Sequence, residues 1–162
     1  GIGIVAGRST RSLAVMQSDV AITVRVGMPS DHRSLVQIDE YAASHFDRVS
    51  AIADALAAGE CLIAESDHDA LGYVVLNYVF FGFGFIPVIV VAAAHRRNGV
   101  GLRLLSEARY RCTSRKLFTS ANASNVAAQA LFARAGFARS GTIDNLDEGD
   151  PEFVYFTQCG RA

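Results

Sequence analysis

The sequence predicts one α/β domain, a central mixed and mostly antiparallel sheet flanked by helices. Three observations carry this. Segments of period two, or of unbroken apolarity, and segments of helical period follow one another in the order β, α, α, β, β, β, α, β, α, β, β. A chain of 162 residues, 51% of them hydrophobic, has the size and apolar content of a single core. Only the middle of the chain reads as a strand–helix–strand crossover, which makes its two strands parallel neighbours.

Residues 1–18 stand apart. They carry Arg8, Arg11 and several Ser and Thr, with no acid before Asp19. This has a transit-peptide flavour. The chain does not begin with Met, however, and Met16 stands just before the first strand pattern, so the leader reads as an appended or over-extended start. Residues 19–162 are taken as the domain.

Ala21 to Val26 alternates and is β-branched, a strand ended by Gly27 and Pro29. Ser30 or Asp31 would cap a helix with Leu35, Ile38, Ala42 and Phe46 on one face. A second helix, Arg48 to Ala58, turns Val49, Ile52, Ala53 and Leu56 inward, and Gly59 closes it. Cys61–Glu65, Ala70–Phe81 and Phe85–Val91 form an antiparallel meander through turns at Ser66–Asp69 and Gly82–Gly84. Gly99–Cys112 is helical, with Val100, Leu104, Leu105 and Ala108 inward. Leu117–Ser120 is a short strand. Ser124 caps a helix that buries Ala128, Leu131, Phe132 and Ala135. Phe137–Ile143 and Phe153–Gln158 finish the sheet.

The balance of charge, −1 overall, argues against a chain that coats nucleic acid. The longest apolar run is too short for a membrane-spanning helix. Cys61, Cys112 and Cys159 lack metal-ligand spacing, so no metal site is expected. They fit buried small hydrophobes in a reducing, cytoplasmic setting.

The chemistry points to the strand-to-helix turn after Val91. His95, Arg96, Arg97 and Asn98 lead into Gly99 and Gly101. A helix N-terminus gathers free N–H groups and the positive end of the helix dipole, and guanidinium groups suit phosphate. Glycines let backbone approach an anion closely. The ending of a Walker loop is absent, and the glycine spacing is not that of a dinucleotide fold. By itself the turn also fits a plain connection with surface arginines.

Arg96-Arg97-Asn98-Gly99-Val100-Gly101 matches the R/Q-x-x-G-x-G/A signature of the GNAT (GCN5-related N-acetyltransferase) superfamily. Asn125 through Ala128, Leu131, Phe132, Gly136 and Phe137 resembles that superfamily's second motif, N-x-x-A-x-x-L-Y/F-x-x-x-G-F, at the usual separation. The resemblance covers roughly Ala21 to Gln158. It implies an acyl-CoA N-acyltransferase fold, with splayed parallel strands at a cofactor cleft and acetyl-CoA as cosubstrate. It further implies a pantetheine arm along Ile89, Val90 and Val91 and a pyrophosphate at Arg96, Arg97, Asn98, Gly99, Val100 and Gly101. Asn125 and Phe132 would touch the arm, and the Val91 N–H would serve as oxyanion donor. Asn125 also fits a helix-start residue bonded to local backbone, and Phe132 a core ring.

The family pattern breaks twice. Phe132 stands where many relatives carry the tyrosine that protonates the leaving thiolate. The strand Phe85–Val91 has no carboxylate to act as base, and Pro87 interrupts it. A lysine-like amine costs roughly 4–5 kcal/mol to deprotonate at pH 7, an α-amine only about 1 kcal/mol. An α-amine is therefore the easier acceptor. Replacement bases are Glu40, His45, Tyr41 and Tyr78, each of which also fits a packing or surface role. His95 suits a cofactor contact, and His32 and His68 read as solvated turn residues. The acidic loop of Asp144, Asp147, Glu148, Asp150 and Glu152 invites a cationic amine or is a solvated hairpin. The expectation is an N-acetyltransferase for a small-molecule or protein amine. A non-catalytic acyl-CoA-binding module is the competitor, and homodimerisation is compatible with either.

Overall fold

A computed structural model describes residues 21–160; the leader expected at 1–18 lies outside the described residues. Seven strands form one sheet: β1 (Thr23–Val26), β2 (Cys61–Ser66), β3 (Asp69–Phe80), β4 (Phe83–Val91), β5 (Lys116–Asn122), β6 (Ala138–Ile143) and β7 (Glu152–Gln158). Their order across the sheet is β1-β2-β3-β4-β5-β7-β6. Every pairing is antiparallel except β4 with β5. Among the described residues the α-helices are α1 (His32–Ile38), α2 (Phe46–Ala57), α3 (Val100–Arg111) and α4 (Val126–Arg134).

Two cores lie on the two faces of the sheet, as the alternation of side chains along a strand requires. Leu35, Ile52 and Leu56 of α1 and α2 pack on Cys61, Ile63, Tyr73 and Val75. Val100, Leu104, Leu105 and Phe132 of α3 and α4 pack on Leu62, Val74, Ile86 and Leu117.

The first helix is shorter than its apolar spacing suggests. It ends at Ile38, Ala42 falls in a one-turn 3-10 segment, and Phe46 is 82% exposed at the start of α2. The cause is Asp39, whose carboxylate accepts the N–H groups of Tyr41 and Ala42 and so substitutes for helix continuation. In α2 Ile52, Ala55 and Leu56 are buried and Val49 packs against their cluster, while Ala53 is exposed. Helix α2 ends in a Schellman motif: Glu60 N–H donates to the Ala55 carbonyl at 2.9 Å, and Gly59 N–H to that of Leu56 at 3.2 Å. The second hairpin turns at Phe81 and Gly82, both at positive φ, as a two-residue turn requires. Gly84 therefore belongs to β4 rather than to the turn.

Asp31 does not cap α1. A 3-10 turn, Pro29–Asp31, precedes the helix, and the Asp31 carboxylate accepts Met28 N–H at 2.7 Å. It also takes both arms of Arg25, at 2.9 and 2.8 Å. The Arg25 guanidinium holds the Asp31 carboxyl below its ordinary range. A carboxyl depressed by folding stabilises fully above its unfolded pKa and loses that contribution as pH falls through its folded one. Asp31→Asn should lower the melting temperature at neutral pH, and the gap from wild type should close below about pH 4. An equal gap at pH 3 and pH 7 would mean the pair contributes no charge-dependent stability.

The feature that positions the site is the parting of β4 from β5. They pair only at Gly84–Ile86 with Leu117–Thr119. Pro87 comes next and has no N–H to donate. The β3–β4 register also slips between Val75–Val88 and Asn77–Phe85, placing one extra β4 residue at the level of Ile86 and Pro87. Thr119 Oγ1 donates to the Ile86 carbonyl at 2.9 Å where the ladder stops. Beyond this point β4 follows β3 alone, up to the bond from Ala92 N–H to the Leu71 carbonyl at 2.8 Å.

Candidate active site

The gap between β4 and β5 has a polar lining set by strand geometry. In an antiparallel pair, backbone groups alternate between the partner and the far side. Ala92 bonds to β3, so Val90 and Val88 do as well, and the N–H and C=O groups of Ile89 and Val91 face the gap. The gap leads to the N-terminus of α3. There Gly99 is the N-cap at φ +80, with no side chain capping the first-turn N–H groups. Arg97 is also left-handed, at φ +67. Residues 96–99 are exposed, so this turn is open to solvent at the positive end of the α3 dipole.

The two glycines serve different ends. A Cβ at Gly99 would meet nothing within 4 Å, so its role is the positive φ and the open space above the turn. A Cβ at Gly101 would lie 3.0 Å from Leu131, so this glycine lets α3 and α4 approach.

The other expected residues divide. Asn125 is the N-cap of α4, its Oδ1 accepting Ala128 N–H at 3.1 Å; the capping role expected of Ser124 belongs to it. Phe132 is 1% exposed, with its ring near Phe137 and Tyr155, and is a core residue here. Glu40 reaches the turn before α3: its Oε2 lies 3.2 Å from Arg96 Nη2. Tyr78 accepts Thr113 N–H at 2.9 Å, past the C-terminus of α3 and one helix length, about 18 Å, from the turn at Gly99. Each is thus already engaged, Glu40 by a side chain and Tyr78 by a backbone N–H. His45 stacks on Tyr41 at 3.6 Å with its Nδ1 against the Tyr41 carbonyl, both in the loop before α2. His32 is not a solvated turn residue; its Nε2–H donates to the Val49 carbonyl at 2.9 Å and ties α1 to α2. The acidic loop is a latch on the β5–α4 turn: Asp147 accepts from Asn122, and Asp150 from Ser124. The three cysteines are free and buried, and burial pushes the Cys61 and Cys159 thiols up to about 12. Among the described residues no cluster could hold a metal ion, and no helix is long and apolar enough to cross a membrane.

Sequence reasoning missed a buried polar cluster. Asp39 is 3% exposed and accepts the Tyr73 hydroxyl at 2.7 Å and Arg48 Nη1 at 3.0 Å. Burial and this bond raise the Tyr73 pKa above its usual value, so the phenol stays a neutral donor. The signal was Tyr73 within an apolar strand, since a buried phenol needs an acceptor. Arg48 and Tyr73 form one end of a cavity of about 280 Å³ that extends to Asp54, Glu60, Asn77, Pro87 and Val88. It opens on the α2 face of β4, at the bulge where the strands part.

The chain matches the family model described as acetyltransferase (GNAT) family over residues 30–137. It belongs to the GNAT acetyltransferase family. A GNAT-family acetyltransferase from Bacillus cereus is 33% identical, with a TM-score of 0.82 over 87% of this chain and 99% of that one. More distant GNAT-like structures share the fold. A Salmonella typhimurium protein solved with its cofactor acetyl-CoA has 18% identity and TM-score 0.70, over 88% of this chain and 96% of that one. The ribosomal-protein-S18-alanine N-acetyltransferase of Escherichia coli has 18% identity and TM-score 0.71, again over 88% and 96%. No curated protein matches the sequence. The GNAT assignment and the mixed, mostly antiparallel sheet expected from the motifs both hold.

Proposed function

We propose that this GNAT domain binds acetyl-CoA in the β4–β5 gap and transfers its acetyl group directly to a primary amine of a small molecule or protein. One observation carries the reading: strands that part at Pro87 open a backbone-lined slot running to a helix N-terminus with no side-chain cap. Diphosphate fits the N–H groups from Arg97 to Gly101, with Arg96 beside them. The arm's amides fit the gap-facing groups of Val91 and Ile89.

Acetyl-CoA supplies an activated thioester: the amine nitrogen bonds to the carbonyl carbon, the C–S bond breaks, and the proton lost by nitrogen ends on the thiolate or in solvent. Ile89 N–H is the last gap-facing donor before the strands rejoin at Ile86 and Thr119. It is thus better placed than Val91 to hold the developing oxyanion. No carboxylate stands on β4, so the acceptor must reach the site with its amine already neutral. Thiol release from acetyl-CoA at pH 7 should therefore be faster with α-amines than with lysine-like ε-amines. Equal or faster turnover of ε-amines would contradict this.

A second reading, a non-catalytic acyl-CoA-binding module, draws on the same missing carboxylate and on Phe132 in place of tyrosine. Cofactor binding without any amine-dependent thiol release would favour it.

A further inference from the structure

The cavity beside β4 has an uneven charge. Arg48 at one end is already matched by buried Asp39 at 3.0 Å. At the other end stand Asp54 and Glu60, neither of which enters an ion pair among the described residues. Between them the walls are apolar: Ile52 and Ala55 of α2 face Val75, Pro87 and Val88 of the sheet.

The position of these carboxylates makes them costly to the fold. Asp54 lies in the last turn of α2, where the helix dipole is negative, and no basic residue is present in that turn to offset it. Glu60 stands three residues past the end of α2, fixed by the Schellman motif and by the bond from Leu76 N–H to its carbonyl at 2.9 Å. Two like charges at the negative end of a helix, beside an apolar cavity, lack a cation.

Resting on the acetyltransferase reading above, we propose that this cavity is the acceptor site and that its acceptor carries a second cationic group, which Glu60 and Asp54 hold. Spacing agrees with this. Glu60 precedes β2, two strands from β4, so its backbone lies about 9.5 Å from the bulge. Its side chain covers part of that span, leaving several bonds between the held cation and the reacting nitrogen. An α-amine with a distal ammonium or guanidinium fits, as in a basic amino acid or a peptide that begins with one.

The test compares lysinamide with norleucinamide, which share the α-amine and the chain but differ in the distal ammonium. Wild type should prefer lysinamide by about tenfold in kcat/KM, the effect of one partly buried ion pair. Glu60→Gln should cut that ratio to near one while acetyl-CoA affinity holds. Asp54→Asn, at an exposed position, should cut it in part and serves if the Glu60 variant does not fold. Turnover of both amines with no preference would overturn this inference and leave the acetyltransferase reading standing. Bound acetyl-CoA with no turnover of any amine would instead sink that reading. A Glu60→Gln enzyme slowed equally on both amines, with its pH profile shifted, would make Glu60 a base and overturn the binding role.

Discussion

Gly99→Val is expected to weaken acetyl-CoA binding by two orders of magnitude or more, with only a modest loss of stability. Gly99 is exposed and its added side chain would meet no protein atom within 4 Å, so no packing is disturbed. Holding a non-glycine residue at φ +80 costs about 1–2 kcal/mol, more for a β-branched one. The cofactor bears the larger effect. The new side chain stands over the first turn of α3, where the open N–H groups lie, and keeps an anion from reaching them. Gly101→Val is the contrasting variant. Its Cβ would press on Leu131 at 3.0 Å and push α3 from α4, so stability should fall with affinity. Calorimetric titration with acetyl-CoA and thermal melting of both variants would check this. Undiminished affinity in Gly99→Val would show that the diphosphate does not sit on this turn.

The parts of the site legible in the sequence are those built from near neighbours. The apolar run Phe85–Val91, the glycines after it and the helical period from Val100 are local signals, and together they specify a strand, a turn and a helix N-terminus. Pro87 was visible as an interruption, but its consequence was not. That β4 leaves β5 there depends on β5 arriving as a parallel partner some thirty residues later, and on a bulge shared with β3. The same limit explains Glu40. By sequence it was a free carboxylate near a helix end; its partner, Arg96, is 56 positions away. Asp39 sits in register between Leu35 and Ala42 on an apolar helical stripe, which hides its role in the sequence. What stops the helix is the carboxylate turning back onto Tyr41 and Ala42, and what holds it inside is Tyr73, 34 residues on. Glu60 was overlooked as the residue after a helix-ending glycine, although the Schellman motif that glycine permits is what fixes its position.

Asp39→Ala should cost about 3–5 kcal/mol of stability, since it leaves a partly buried guanidinium and a buried phenol without their acceptor. For a domain of this size that corresponds to a melting temperature lower by roughly 10 °C. The size of the effect follows from how many groups one side chain serves: two backbone N–H groups, the Tyr73 hydroxyl and Arg48 all converge on it. Asp39→Asn keeps an acceptor oxygen for the turn or for Tyr73 but loses the charge facing Arg48, and its loss should be smaller. Combining Asp39→Ala with Arg48→Met removes the stranded cation along with its partner. The double variant should therefore be more stable than the sum of the two single losses allows, because the sites interact directly. The cluster also sets one end of the cavity, so freeing Arg48 from Asp39 would leave its charge uncompensated beside the acceptor. Asp39→Asn should then discriminate against a cationic acceptor more than against a neutral one, at unchanged acetyl-CoA affinity. A loss below about 1 kcal/mol in Asp39→Ala, by chemical denaturation, would mean water replaces the carboxylate at little cost and the cluster does not anchor the α1–α2 loop to the sheet.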